Sequence, residues 1–236
     1  MATVALTLSI ATSASAEEAR ELAVDATFTP GVLRANDGGT AFVIAATEWS
    51  GASDRVELAA LGEVKVVGPL RVIVKVADAF RDTAKPGIGA GVKWLDEAKH
   101  GIASSAYLFY KTEGFTEPEG EIELVLAFGR KLGPIGTSLN LAYGQDPEGR
   151  ERDGEVALAA QVEPRRGLFV GGTARYRDAL GSRKETIIRD GFGGATGTVT
   201  FGRFAVTAMA GAAMIETKTA PRELGAAATL AIGAAF

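Results

Sequence analysis

The chain has 236 residues and a formal net charge of −4, which suits one domain of moderate size and leaves no basic footprint for nucleic acid. It contains no cysteine, so disulfides, thiol catalysis and zinc–thiolate sites are excluded. Its 30 glycines and short apolar residues show little helical periodicity, which argues against a bundle, and no run of about 18 apolar residues marks a transmembrane helix.

The N-terminus is an apolar stretch closing on Ala14-Ser-Ala16 before Glu17 and Glu18. That pattern has the h-region and cleavage site of a secretory signal peptide, although the positively charged n-region is missing. Residues 17–38 are polar, and the stretch near Leu22–Phe28 is read as either an extra strand or a tail. From about Gly39 the chain divides into alternating segments, and a period of two is the mark of an extended strand with two unlike faces. The predicted strands are 40–49, 55–66, 70–80, 87–95, 101–110, 121–129, 135–143, 154–162, 168–177, 194–201, 204–214 and 224–236. In the clearest of them, Val56, Leu58, Ala60, Val64 and Val66 oppose Glu57, Leu61, Glu63 and Lys65. The connections alternate between short turns such as Gly68-Pro69 and Gly202-Arg203 and longer polar loops, chiefly 178–193, with 50–54 shorter than its place in that pattern demands.

The last segment, Leu224 to Phe236, has apolar residues on one parity, small residues on the other, and ends on an aromatic ring. This ending resembles the C-terminal strand of bacterial outer-membrane β-barrels. The resemblance implies that Phe236 belongs to the signal read by the barrel-assembly machinery, and that lipids of the outer membrane surround the barrel. The expected fold is therefore all-β: a closed, antiparallel, up-and-down transmembrane barrel of about twelve strands, with ten or fourteen as alternatives. Residues 1–16 are taken as signal peptide, 17–38 as an N-terminal periplasmic segment and 39–236 as barrel. An even strand count puts both termini in the periplasm of a Gram-negative cell.

Aromatics give an independent check. Trp49, Phe80, Tyr110, Tyr143 and Tyr176 fall at one set of strand ends, and Trp94, Phe128, Phe201, Phe204 and Phe236 at the other. Two such girdles are expected where amphipathic rings sit at headgroup level. Mid-strand charges lie mostly on the opposite parity, because Lys or Arg facing lipid at the midplane costs about 2–4 kcal/mol. Glu57, Glu63, Lys65, Arg71, Lys75, Lys93, Glu121, Glu123 and Arg175 are accordingly expected to line the lumen and tune its selectivity. Opposite charges pairing across the lumen to plug it is the plainer alternative.

Catalytic chemistry finds little support. His100 is the sole histidine, near Ser104 and Ser105 but in a predicted turn, so it reads as solvated rather than as a base for a lipid-cleaving serine. Gly87-Ile-Gly-Ala-Gly91 lacks the third glycine of a dinucleotide fingerprint and reads as a lumen-facing strand of small residues. Asp146, Glu148, Glu151 and Asp153 are interleaved with Arg150 and Arg152, which spoils a calcium loop. No enzyme activity, catalytic residue, cofactor or metal is expected. Two functions are expected to compete: a porin-like passive channel for small hydrophilic solutes, and a non-conducting scaffold or adhesion barrel acting through its outer loops. A soluble exported β-sandwich is the rival fold.

Overall fold

The computed structural model describes residues 41–53, 55–77, 84–112, 120–149, 151–180 and 187–236. Twelve strands run in chain order: β1 (Ala41–Ser50), β2 (Arg55–Val67), β3 (Leu70–Ala77), β4 (Lys85–Leu95), β5 (Ala103–Thr112), β6 (Gly120–Leu132), β7 (Ile135–Gln145), β8 (Arg152–Arg165), β9 (Leu168–Ala179), β10 (Ile187–Phe201), β11 (Phe204–Thr217) and β12 (Glu223–Ala235). One helical turn, α1 (Glu97–His100), interrupts the link from β4 to β5. Every strand pairs antiparallel with its chain neighbours, and β1 pairs with β12, so the sheet closes into a barrel. The closure runs to the last residue: Phe236 N–H donates to Ala41 O at 2.8 Å, and Phe236 O accepts from Ala41 N–H at 3.0 Å. A closed sheet leaves no unpaired edge, the condition that hydrocarbon imposes on a strand-built span.

The two ends of the barrel differ. At the turn end the hairpins are tight, and Gly68, Gly133, Gly167 and Gly202 sit at positive φ in them. Gly202, at φ 57, makes the turn between Phe201 and Phe204, where a side chain would be strained. The fifth connection at this end holds α1, capped by Asp96, whose side chain accepts from Ala98 N–H, and closed by Gly101 at φ 73. The opposite, loop end carries the remaining connections.

Alternation then sorts the side chains. Val56, Val64, Val72, Val74, Ile88, Leu108, Leu124, Leu158, Leu230 and Ile232 are exposed on the outer face, while the intervening residues point inward. Exposing so much aliphatic surface to water would be costly, whereas a lipid solvent asks for it. Trp49, Tyr110, Tyr143 and Tyr176 are exposed toward the loop end, and Trp94, Phe201 and Phe204 toward the turn end. Phe201 and Phe204 pack together at 5.8 Å, and Arg203 lies over the Phe236 ring at 5.4 Å. Phe128 and Phe236 are half-buried on the same outer face. Phe80, the segments 1–16 and 17–38, and residues 181–186 of the expected loop 178–193 lie outside the described residues.

The strands are longer than the alternation alone indicates. The chief correction is β10, which begins at Ile187 rather than 194. Gly191-Phe-Gly193 falls in the segment read as loop, but here glycine serves close backbone approach. A Cβ on Gly194 would fall against the Ala210 carbonyl of β11. Strands β5, β7, β8 and β11 also extend past their expected loop-side ends, to Thr112, Gln145, Arg152 and Thr217.

Candidate functional site

The interior carries two kinds of lining. One kind is packed: two apolar clusters lie below the charges, and a smaller third, of Ala52, Phe192, Met209, Ala213 and Ala227, lies toward the loop end. Phe42 and Ala46 of β1 join Phe169 of β9 and Ala205, Ala231 and Ala235 in one cluster. Ile73, Tyr107, Phe109 and Val125 form a second, and Leu61 packs against both. The rings of Tyr107 and Phe109 lie flat across Gly91 and Gly89, their register partners on β4. A Cβ at Gly89 would come within 2.5 Å of Phe109 Cδ1, so these positions admit only glycine while the rings stay where they are. The small residues of Gly87 to Gly91 do face the lumen, but on this wall the rings of the neighbouring strand fill the space beside them.

Arg71 is embedded in this packed region at 1% exposure. It donates to Tyr107 Oη at 2.9 Å and pairs with Glu63 at 3.4 Å. Burying a guanidinium is tolerable only with such partners. Lys65 is exposed at the turn-end rim, and Lys93 pairs at 3.3 Å with Asp96, the residue that caps α1. The hydrogen bond from Lys93, aided by Ala98 N–H, holds the Asp96 carboxyl below its usual range.

Toward the loop end the inward charges gather in two groups. On one wall Lys75 pairs with Glu123 at 2.5 Å, and Lys111 pairs with Glu123 and, at 3.0 Å, with Glu121. Lys75 also stands 4.2 Å above the Phe109 ring, which seats this group directly on the packed region. On the other wall Arg175 of β9 lies 3.6 Å from Asp190, and 3.9 Å from both Glu155 and Glu48. Glu48 belongs to β1, which is not a neighbour of β9, so this contact crosses the lumen. Arg175 also covers the Phe192 ring at 4.7 Å. Arg177 pairs with Asp153 at 2.6 Å and with Asp190 at 3.8 Å. Water reaches these groups: Lys111, Glu121 and Arg177 side chains are 22%, 27% and 30% exposed.

Of the nine charges picked out from the sequence, Lys75, Glu121 and Glu123 come together, Glu63 joins Arg71, and Glu57 faces Glu48 across the β1–β2 ladder. Arg175 stands on the opposite wall, and Lys65 and Lys93 sit apart at the turn end. Glu48, Lys111, Asp153, Glu155, Arg177 and Asp190 were not singled out by that reading. Glu155 and Arg177 are on the correct parity and needed only to be carried forward. Lys111, Asp153 and Asp190 fall in segments read as loops.

The other candidates separate. His100 Nδ1 lies 3.1 Å from Asp96 O, while buried Ser104 donates its hydroxyl to Ala127 O at 3.1 Å, so histidine and serine do not engage. Asp146 accepts from Glu151 N–H at 3.1 Å and organises its own turn. Among the described residues no group of three or more acidic or histidine side chains is placed to hold a metal.

No family model matches the chain, and no curated protein matches its sequence. Solved structures do match its fold. An outer membrane channel from Pseudomonas putida F1 is similar with a TM-score of 0.58 at 11% identity, over 88% of this chain and 99% of that one. The NanC porin is similar with a TM-score of 0.56 at 8% identity, over 82% and 98%. LpxR from Salmonella typhimurium also matches, with a TM-score of 0.52 at 8% identity, over 83% and 100%. The chain therefore has the closed barrel fold of bacterial outer-membrane proteins, several of them channels, at sequence identities that speak for the fold alone.

Proposed function

We propose that the chain is an integral outer-membrane barrel that acts as a porin-like passive channel for small hydrophilic solutes, with both termini in the periplasm. One observation carries this reading: the loop-side lumen is lined by ionised side chains that water reaches, Lys111, Glu121 and Arg177 among them. A barrel built only as a rigid scaffold has no need of a hydrated, charged interior, which packing of apolar side chains would replace at no loss of stability. Purified protein in a planar bilayer should show discrete conductance steps. A silent bilayer, from protein whose gel mobility shifts on boiling as a folded barrel's does, overturns the reading.

A non-conducting scaffold or adhesion barrel acting through its outer loops is favoured by a different observation, the packed turn-side interior of Phe42, Leu61, Tyr107 and Phe169. That reading predicts silence in the bilayer and binding that is lost when the loop between β9 and β10 is shortened.

A further inference from the structure

We infer that the loop-side lumen carries a cation-selecting collar, in which Glu48, Glu57, Glu155 and Asp190 surround Arg175 and draw small cations in preference to anions. The inference rests on the channel reading above and names the class of solute it favours.

Charge balance is the first observation. On the β3–β6 wall, Lys75 and Lys111 match Glu121 and Glu123. On the other wall, among the described residues, Arg175 and Arg177 meet Glu48, Glu57, Asp153, Glu155 and Asp190. The excess is negative and gathers around Arg175 from both sides of the lumen, a space with low-dielectric walls, which focuses the field.

The second observation is that these acceptors are not saturated. Arg175 meets its carboxylates at 3.6–3.9 Å, beyond hydrogen-bond length, and its Nε has no hydrogen-bond partner. Asp190 Oδ1 likewise has none. Glu48 stands directly opposite Glu57 on β2, a like-charge pair that costs energy unless a counter-ion intervenes. On its other side Glu48 faces Thr229 of β12. Thr229 is 5% exposed, points inward, and its hydroxyl has no partner. Buried polar atoms are nearly always satisfied, and orphans grouped beside a carboxylate mark a place where a cation or its hydration water belongs. In the Lys75–Glu123 group the 2.5 Å contact takes one carboxylate oxygen, and the oxygen without a partner there, Glu121 Oε1, is balanced by two lysines rather than grouped with further carboxylates.

The test is a reversal-potential measurement across a planar bilayer under a potassium chloride gradient. The wild-type channel is expected to pass potassium over chloride. The double variant Glu48→Gln with Glu57→Gln should lower the permeability ratio about threefold, and Arg175→Gln should raise it. Glu155→Gln, read separately, should lower it alone. Each variant is first checked for the mobility shift on boiling. A conducting wild type that favours chloride, or a ratio unchanged in the folded double variant and in Glu155→Gln, overturns the collar while leaving the channel reading intact. A silent wild type overturns both.

Discussion

In the loop-side half of the lumen, Lys111, Glu121 and Arg177 keep 22%, 27% and 30% of their side-chain surface open to water. In the turn-side half, Arg71, Tyr107 and Phe169 keep only 1–2% of theirs. Both halves are made by the same alternation on the same strands, so strand periodicity does not set the difference. Side-chain size and the neighbour's size do. Large rings opposite glycine fold flat and close the space, whereas charges opposite charges hold one another off the wall and leave room for water. The same kind of ion pair should therefore behave differently at the two levels.

The largest expected effect comes from the dry half. Arg71→Met removes the guanidinium beside the Glu63 carboxylate, whose side chain is 7% exposed. It should cost about 4 kcal/mol in denaturant unfolding from detergent micelles. A cost near zero would mean that water reaches this level too. Phe169→Ala, in the cluster shared with Phe42, should cost about 3 kcal/mol through the cavity it leaves. On the proposed channel reading it should also raise single-channel conductance, because the ring occupies the turn-side interior. An unchanged conductance would place the constriction elsewhere.

In the wet half, Glu123→Gln removes the charge shared by Lys75 and Lys111. The expected loss is about 2 kcal/mol. It should shrink in high salt, whereas the Arg71→Met loss should not, since only hydrated pairs are screened. Equal salt dependence in both would erase the distinction between the halves. The smallest effect belongs to the loop-side rim, where Arg189 meets Asp178 at 3.3 Å with side chains 39% and 33% exposed. Solvent screening there should leave the denaturant midpoint of Arg189→Ala indistinguishable from wild type.

The barrel was legible in the sequence because period-two alternation, girdle aromatics and tight glycine turns all follow from lipid on one face and closure of the sheet. Strand ends were less so. Gly191 and Gly193 carry the composition of a loop, and the close approach of β9 explains them as strand. Pairing inside the lumen was hidden for a further reason. Alternation tells which residues face inward but not which strands face one another, so Arg175 and Glu48, far apart in sequence, could not be joined. The packed half was missed because Phe42, Tyr107, Phe109 and Phe169 are aromatics on the inward parity, and attention to girdles favours rings that face out. Glycine at 87, 89 and 91 was the available signal: a bare strand invites rings from its neighbour.

That bare strand also bears on how the barrel comes together. Gly87, Gly89 and Gly91 recur at every second position of β4, with Tyr107 over Gly91 and Phe109 over Gly89. If β5 slid by two residues toward the loop end, Tyr107 would land on Gly89 and Phe109 on Gly87, and both rings would again lie on bare backbone. The glycines thus act as a rail with more than one stop, and ring packing alone does not choose between them. The choice falls to the hydrogen bond from Arg71 to the Tyr107 hydroxyl, which exists at one stop only. Tyr107→Phe keeps the rail and removes the latch, and is expected to slow the final step of refolding into vesicles. An unchanged refolding rate would move the latch to the Lys111–Glu121 contact two residues above Phe109.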